Sequence, residues 1–299
     1  MKVGLIDVDG HNFPNLALMK ISAFHKSIGD TVEWCLPLGH YDRVYQSKVF
    51  DETYSPDIDW TPNADEIIKG GSGYSMETTL PHEIEHIYPD YSLYPELTKD
   101  TAYGFLTRGC PRACDFCIVA KKEGRCSVKV ADLSEFWWGQ KNIKLLDPNL
   151  LACKERYDLL DQLVKSKAYV DFTQGLDIRL MTDQAAEYIN AMKIKQIHFA
   201  WDNPKDDLRK YFEAYAKVAK HKPNGAFGTV YVLTNFGSTV DEDLYRIYTL
   251  RDMGYDPYVM IYDKPNAPKE IKRLQRWCNN RFIFKSCKNF ADYKGGAKQ

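Results

Sequence analysis

Several features that quickly sort a sequence into a class are missing here. No apolar run approaches the roughly 18 residues of a membrane-spanning helix. The opening, Met-Lys-Val-Gly-Leu-Ile-Asp-Val-Asp-Gly, meets acidic residues too early for a secretory signal. A soluble, cytoplasmic protein is expected. An excess of either charge is also missing: 40 Lys and Arg against 41 Asp and Glu leave a net charge of −1, so bulk electrostatics do not mark a nucleic-acid binder. Local basic groups, Lys121, Lys122 and Arg125 and then Lys269, Lys272, Arg273, Arg276 and Arg281, read as solvated faces. Nucleic acid is left open as a partner but is not indicated.

The eight cysteines do not make a disulfide framework, because a chain of 299 residues without an export signal keeps its thiols buried or on metal. Cys35, Cys153, Cys278 and Cys287 stand in strand-like or helical contexts that suit burial, and Cys126 has no assigned role. No second tight cysteine group accompanies the one described below.

What is present is enough apolar residue, 44%, for one large domain or two unequal ones. Residues 1–75 read as a small open α/β unit: a strand at Lys2–Val8, a helix at Asn15–Ile28 ending at Gly29, strands at Thr31–Leu36 and Arg43–Phe50, then Glu66–Lys69 running into Gly70-Gly71-Ser72-Gly73. Strand, helix, strand implies parallel pairing with ligands at the carboxyl ends of the strands. Residues 76–100 form a connector in which Pro81, Pro89 and Pro95 limit any helix to a short piece. It contains His82-Glu83-Ile84-Glu85-His86, formally a zinc-hydrolase pattern but without the long apolar helix that such a motif needs.

From residue 101 to 265 strand and helix alternate. Strands are expected at Tyr103–Leu106, Ile143–Leu146, Tyr169–Phe172, Gln196–Ala200, Thr229–Leu233 and Tyr258–Ile261, and helices at Leu133–Gly139, Tyr157–Lys165, Asp183–Met192 after the cap Thr182, and Asp206–Lys220. Residues 266–299 read as a cap with a helix at Pro268–Trp277 and a short strand at Phe282–Phe284.

Directly after the first strand of this series come Cys110, Cys114 and Cys117, at spacings of four and three. Three thiolates so close on a loop suit a compact soft metal centre. A structural zinc site wants four closed ligands, whereas a cubane cluster on three cysteines keeps one iron open. A zinc site completed by a distant residue and three unrelated buried thiols are the alternatives.

The pattern Cys-x3-Cys-x2-Cys, with the aromatic Phe116 just before its last cysteine, resembles the signature of the radical S-adenosylmethionine (radical SAM) superfamily. The resemblance implies a partial (β/α)6 barrel over residues 101–265 and a 4Fe-4S cluster on Cys110, Cys114 and Cys117. It also implies reductive cleavage of SAM to methionine and a 5'-deoxyadenosyl radical, with a flavodoxin- or ferredoxin-type electron donor. Barrels carry their functional groups just after each strand, which directs attention to Asp147, Asn149, Gln174, Asp202, Asn203, Thr234 and Asn235. By resemblance Phe116 packs on the adenine, Asp147 and Asn149 lie near the methionine amine, and Asp202 or Asn203 bonds the ribose. Thr234 and Asn235 replace a glycine-rich pattern. Arg179 offers a guanidinium fork for the methionine carboxylate. Trp137, Trp138, Trp201 and Tyr262 are candidates for an apolar lining.

Residues 1–75 resemble the Rossmann-like cobalamin-binding domain that precedes the barrel in many radical SAM proteins, through Asp9, His11, Ser47 and Gly70-Gly71 in order. Pro14 stands where that pattern has glycine and Val49 where it has leucine, which favours a cofactor-free domain over a working cobalamin site. A cobalamin-dependent methyltransferase and a non-catalytic iron-sulfur or zinc module are the competing functions.

Overall fold

The structure, a computed structural model, describes residues 1–10 and 12–295; His11 of the cobalamin-like pattern and the last residues of the expected cap lie outside them. The chain is mixed α/β with parallel sheets and divides into two compact units, 1–144 and 145–299. Among the described residues no helix is long and apolar enough to cross a membrane.

The first unit opens with β1 (Lys2–Asp7) and α1 (Leu16–Ser27), whose start is fixed by Asn15 accepting a hydrogen bond from the Leu18 amide. Gly29, at φ +86°, lets the chain leave the helix in a left-handed turn. Then follow β2 (Thr31–Trp34), β3 (His40–Ser47) and β4 (Asn63–Gly70), giving a parallel sheet in the order β2-β1-β3-β4. The alternation of β1 sends Val3 and Leu5 against Leu18 and Ile21 of α1. Ile6 goes to the other face with Tyr41 and Val44. The glycine-rich turn after β4 follows from close packing: a Cβ on Gly71, at φ +94°, would lie 2.2 Å from the Lys48 carbonyl oxygen.

The connector contains two single turns, α2 (His82–Glu85) and α3 (Pro95–Thr98), as its prolines dictate. After β5 (Thr101–Gly104) the expected strand to Leu106 stops early. The chain restarts as β6 (Thr107–Arg108), runs through α4 (Val119–Lys122), and returns as β7 (Val128–Lys129), antiparallel to β6. The helix expected at Leu133–Gly139 is a single 3-10 turn, Leu133–Glu135, closed by a capping box between Asp132 and Glu135.

The division between the units falls inside β8 (Asn142–Leu145). The chain continues as α5 (Arg156–Ser166), β9 (Tyr169–Phe172), α6 (Asp183–Ala191), β10 (Lys193–Ala200), α7 (Arg209–Val218), β11 (Thr229–Thr234), α8 (Val240–Asp252) and β12 (Asp256–Ile261). The second unit's strands form a parallel sheet in the order β12-β11-β10-β9, so spatial order follows chain order. Val170, Phe172, Phe199, Val230, Val232 and Val259 line its buried apolar face.

After α9 (Lys269–Asn279) the expected strand at Phe282–Phe284 is instead inside α10 (Arg281–Ser286). Asn280 decides this: its side chain accepts from the Phe282 and Ile283 amides, so the backbone enters a helix. Phe284 is buried against the Trp277 ring while Phe282 is exposed, a pattern too short for periodicity to resolve in advance.

Candidate functional site

The cysteine loop lies within the first unit, and its base is tied. Beyond the β6–β7 ladder, Arg108 pairs with Glu123 at 2.8 Å, Glu123 also accepts from the Gly109 amide, and the Cys110 amide donates to the Gly124 carbonyl. Gly109 is needed here, because it sits at φ +84° and a Cβ would lie 2.1 Å from the Cys126 carbonyl oxygen. The Cys117 amide donates to the Cys114 carbonyl at 2.9 Å, so the second and third cysteines share a turn. Cys110, Cys114 and Cys117 are all half-buried, and no cysteine of the chain is in a disulfide.

The donor chemistry fits an iron-sulfur cluster: soft sulfur ligands on one short loop, partly shielded from water, with no nearer claim on them by oxidation. Among the described residues no group of three or more His, Cys, Asp or Glu side chains is gathered to hold a metal ion. The fit is therefore of ligand type and spacing, not of a preformed cage.

The His82–His86 segment supports this loop. Only one turn is helical, and His86 already lies beyond it, with its Nδ1 2.8 Å from the Glu135 carboxylate. Glu85 pairs with Lys20 at 3.1 Å and with Arg108 at 3.4 Å, so the motif's second carboxylate braces the arginine at the base of the cysteine loop. Of the expected lining residues in this unit, Trp137 donates its indole N–H to the Gln140 carbonyl, and Trp138 is 88% exposed, edge-on to the Tyr88 ring.

In the second unit the residues after the strands differ among themselves. Asp147 and Asn149 are buried polar groups, as is Thr234, whose hydroxyl donates to the Met260 carbonyl. Asn235 adopts φ 61°, in the left-handed region that asparagine tolerates better than most residues, and its side-chain amide donates to the Tyr262 carbonyl. Gln174 and Asn203 are exposed, and the Asn203 side chain accepts from the Lys205 amide. Arg179 is engaged by acids of its own unit, Asp177 at 2.7 Å and Asp206 at 3.4 Å. Trp201 is core, packed on Phe212, and Tyr262 is partly exposed.

Asp202 has a carboxyl pushed up to about 6 by burial, with the nearby Arg246 charge working against that shift. Arg246 is itself wholly buried. One guanidinium nitrogen donates to the Trp201 and Asp202 carbonyls, each at 2.7 Å; the other donates to the Leu233 carbonyl at 3.0 Å and to Asp243 at 2.5 Å. It thereby ties the ends of β10 and β11 together. Sequence reasoning missed it, since an Asp-x-x-Arg step on a helix ordinarily reads as a surface pair.

A second group was also missed. Facing away from the apolar core, Asp171 of β9, His198 of β10 and Tyr231 of β11 form a row: His198 and Tyr231 stack at 5.3 Å and 4°, and Asp171 lies 4.0 Å from the His198 Nδ1. That nitrogen also bonds the Phe172 carbonyl at 3.0 Å, and burial pushes the Tyr231 hydroxyl up to about 12. The available signal was their alternation with apolar residues along each strand.

No protein-family model matches the chain, and no curated protein matches it.

Proposed function

We propose that the chain is a radical SAM enzyme in which Cys110, Cys114 and Cys117 hold a 4Fe-4S cluster. When bound, the cluster would deliver one electron to SAM and split it into methionine and a 5'-deoxyadenosyl radical, which takes hydrogen from a substrate. The observation that carries this reading is the tied loop: three half-buried thiols at spacings of four and three, with its ends held by β6, β7 and the Arg108–Glu123 pair.

The finer fold proposed is a partial (β/α)6 barrel preceded by a Rossmann-like domain. A parallel sheet in the second unit whose strands follow chain order supports the first, and the parallel order β2-β1-β3-β4 supports the second. Phe116 stands beside the last cysteine, where an adenine could stack. Buried Asp147 and Asn149 and half-buried Asp202 are the polar groups of the second unit proposed to contact SAM. Arg179 is the weakest of the set, because Asp177 and Asp206 already occupy its guanidinium. Exclusion of water and a flavodoxin- or ferredoxin-type donor in the cytoplasm complete the proposal.

The test is anaerobic reconstitution with iron and sulfide, followed by dithionite and SAM. The expected result is 5'-deoxyadenosine formation that Cys114→Ala abolishes together with the cluster's visible absorbance. A Cys114→Ala protein that still cleaves SAM contradicts the proposal.

A further inference from the structure

Within the first unit, an open cleft of about 300 Å³ lies outside the carboxyl ends of β1 and β2, where parallel α/β sheets place ligands. Its walls are Trp34 at the end of β2, Trp60 from the connection between β3 and β4, and Tyr94 just before α3; Asp7, the last residue of β1, joins them. The Trp34 and Tyr94 rings meet at 73° with centroids 5.2 Å apart, so they form a corner. Asp7 accepts a hydrogen bond from the Tyr94 hydroxyl at 2.5 Å and a longer one from the Asn15 side-chain amide at 3.4 Å.

Among the described residues Asp7 has no ion-pair partner, and none that lines the cleft is a Lys, Arg or His. Burial pushes its carboxyl up, and neighbouring Asp9 adds to this. A partly buried carboxylate without a counter-cation is costly. The charge pattern narrows the ligand. An anion would meet Asp7, and a neutral apolar molecule would leave that carboxylate uncompensated. A planar base is best gripped between parallel rings, which this corner does not offer. A compact organic cation satisfies all of these groups at once, since the ring faces and the carboxylate are negative together.

We propose that this cleft binds a small organic ammonium ion of choline size, with Asp7 as counter-ion and Trp34, Trp60 and Tyr94 as its aromatic walls. The proposal is independent of the iron-sulfur reading.

The experiment titrates choline, and in parallel its neutral isostere 3,3-dimethylbutan-1-ol, into the full chain without added iron, followed by calorimetry and tryptophan emission. Choline is expected to bind saturably and the isostere about tenfold more weakly or worse. Asp7→Asn should weaken choline by a similar factor with an unchanged circular dichroism spectrum. Trp34→Leu, at a partly exposed position, gives the same loss if the Asp7 variant fails to fold. Cys114→Ala should leave choline binding unaltered, so failure here and failure of the cluster are separable. Equal binding of the isostere, absence of saturable choline binding, or full affinity in the folded variants would overturn the proposal.

Discussion

Arg246 is the residue on which the second unit's strand ends depend most. Its guanidinium serves four carbonyls, those of Trp201, Asp202, Leu233 and Glu242, together with Asp243, with no access to water. Replacing it by Met leaves Asp243 as an unpaired buried acid, for which a loss of about 3–5 kcal/mol is expected. Urea denaturation measures this; a loss under about 1 kcal/mol would mean that the pair is replaceable. Asp202 gives a second prediction. Its carboxyl is near 6 in the fold against 3.8 ordinarily, so the folded chain holds a proton that the unfolded chain releases. Its stabilising contribution is complete below pH 3.8 and is lost as the pH rises through about 6. Carbonyl NMR titration should find that midpoint, moved upward in Arg246→Met once the opposing charge is gone. A midpoint near the ordinary value would refute the assigned burial. At this scale the three cysteines stood out in the sequence as a candidate site because their spacing suits a soft metal centre. Arg246, His198 and Asp171 were not, since a polar residue in a strand or helix does not announce which face it is on until the sheet is assembled.

Among the elements, the cysteine loop depends on its tied base. Gly109→Ala forces a Cβ into the Cys126 carbonyl at a backbone angle that alanine resists. The variant is expected to lose cluster loading on reconstitution while the far-ultraviolet dichroism of the chain is little changed. Iron content equal to the parent protein would show that the loop tolerates rearrangement. Helix α8 offers a milder test: Thr239 and Glu242 form a reciprocal capping box, and Thr239→Ala should cost about 1 kcal/mol in thermal denaturation. Element positions were largely readable, because β9 stands at Tyr169–Phe172 as expected and α6 starts after Thr182 with its side chain accepting from the Ala185 amide. The failure at Phe282–Phe284 has the same physical origin as the successes. A cap outweighs a three-residue apolar run, and Asn280 is that cap.

On the scale of the whole molecule, alternation of apolar stretches was enough to anticipate an α/β chain with parallel sheets, since parallel strands require crossovers and helices supply them. The second unit's sheet keeps β9 to β12 side by side in chain order, the arrangement that short crossover connections favour. The cleft at Asp7 was not legible, because Trp34, Trp60 and Tyr94 are far apart in sequence and are joined only by the fold. The central claim concerns one vacancy on a cluster held by three sulfurs. It is tested most directly by Mössbauer spectroscopy of protein reconstituted with iron-57, recorded before and after SAM. The account predicts that one iron in four changes its isomer shift when SAM is added, while the other three do not. Four irons that ignore SAM, or a centre that takes up only a single metal ion, would contradict it.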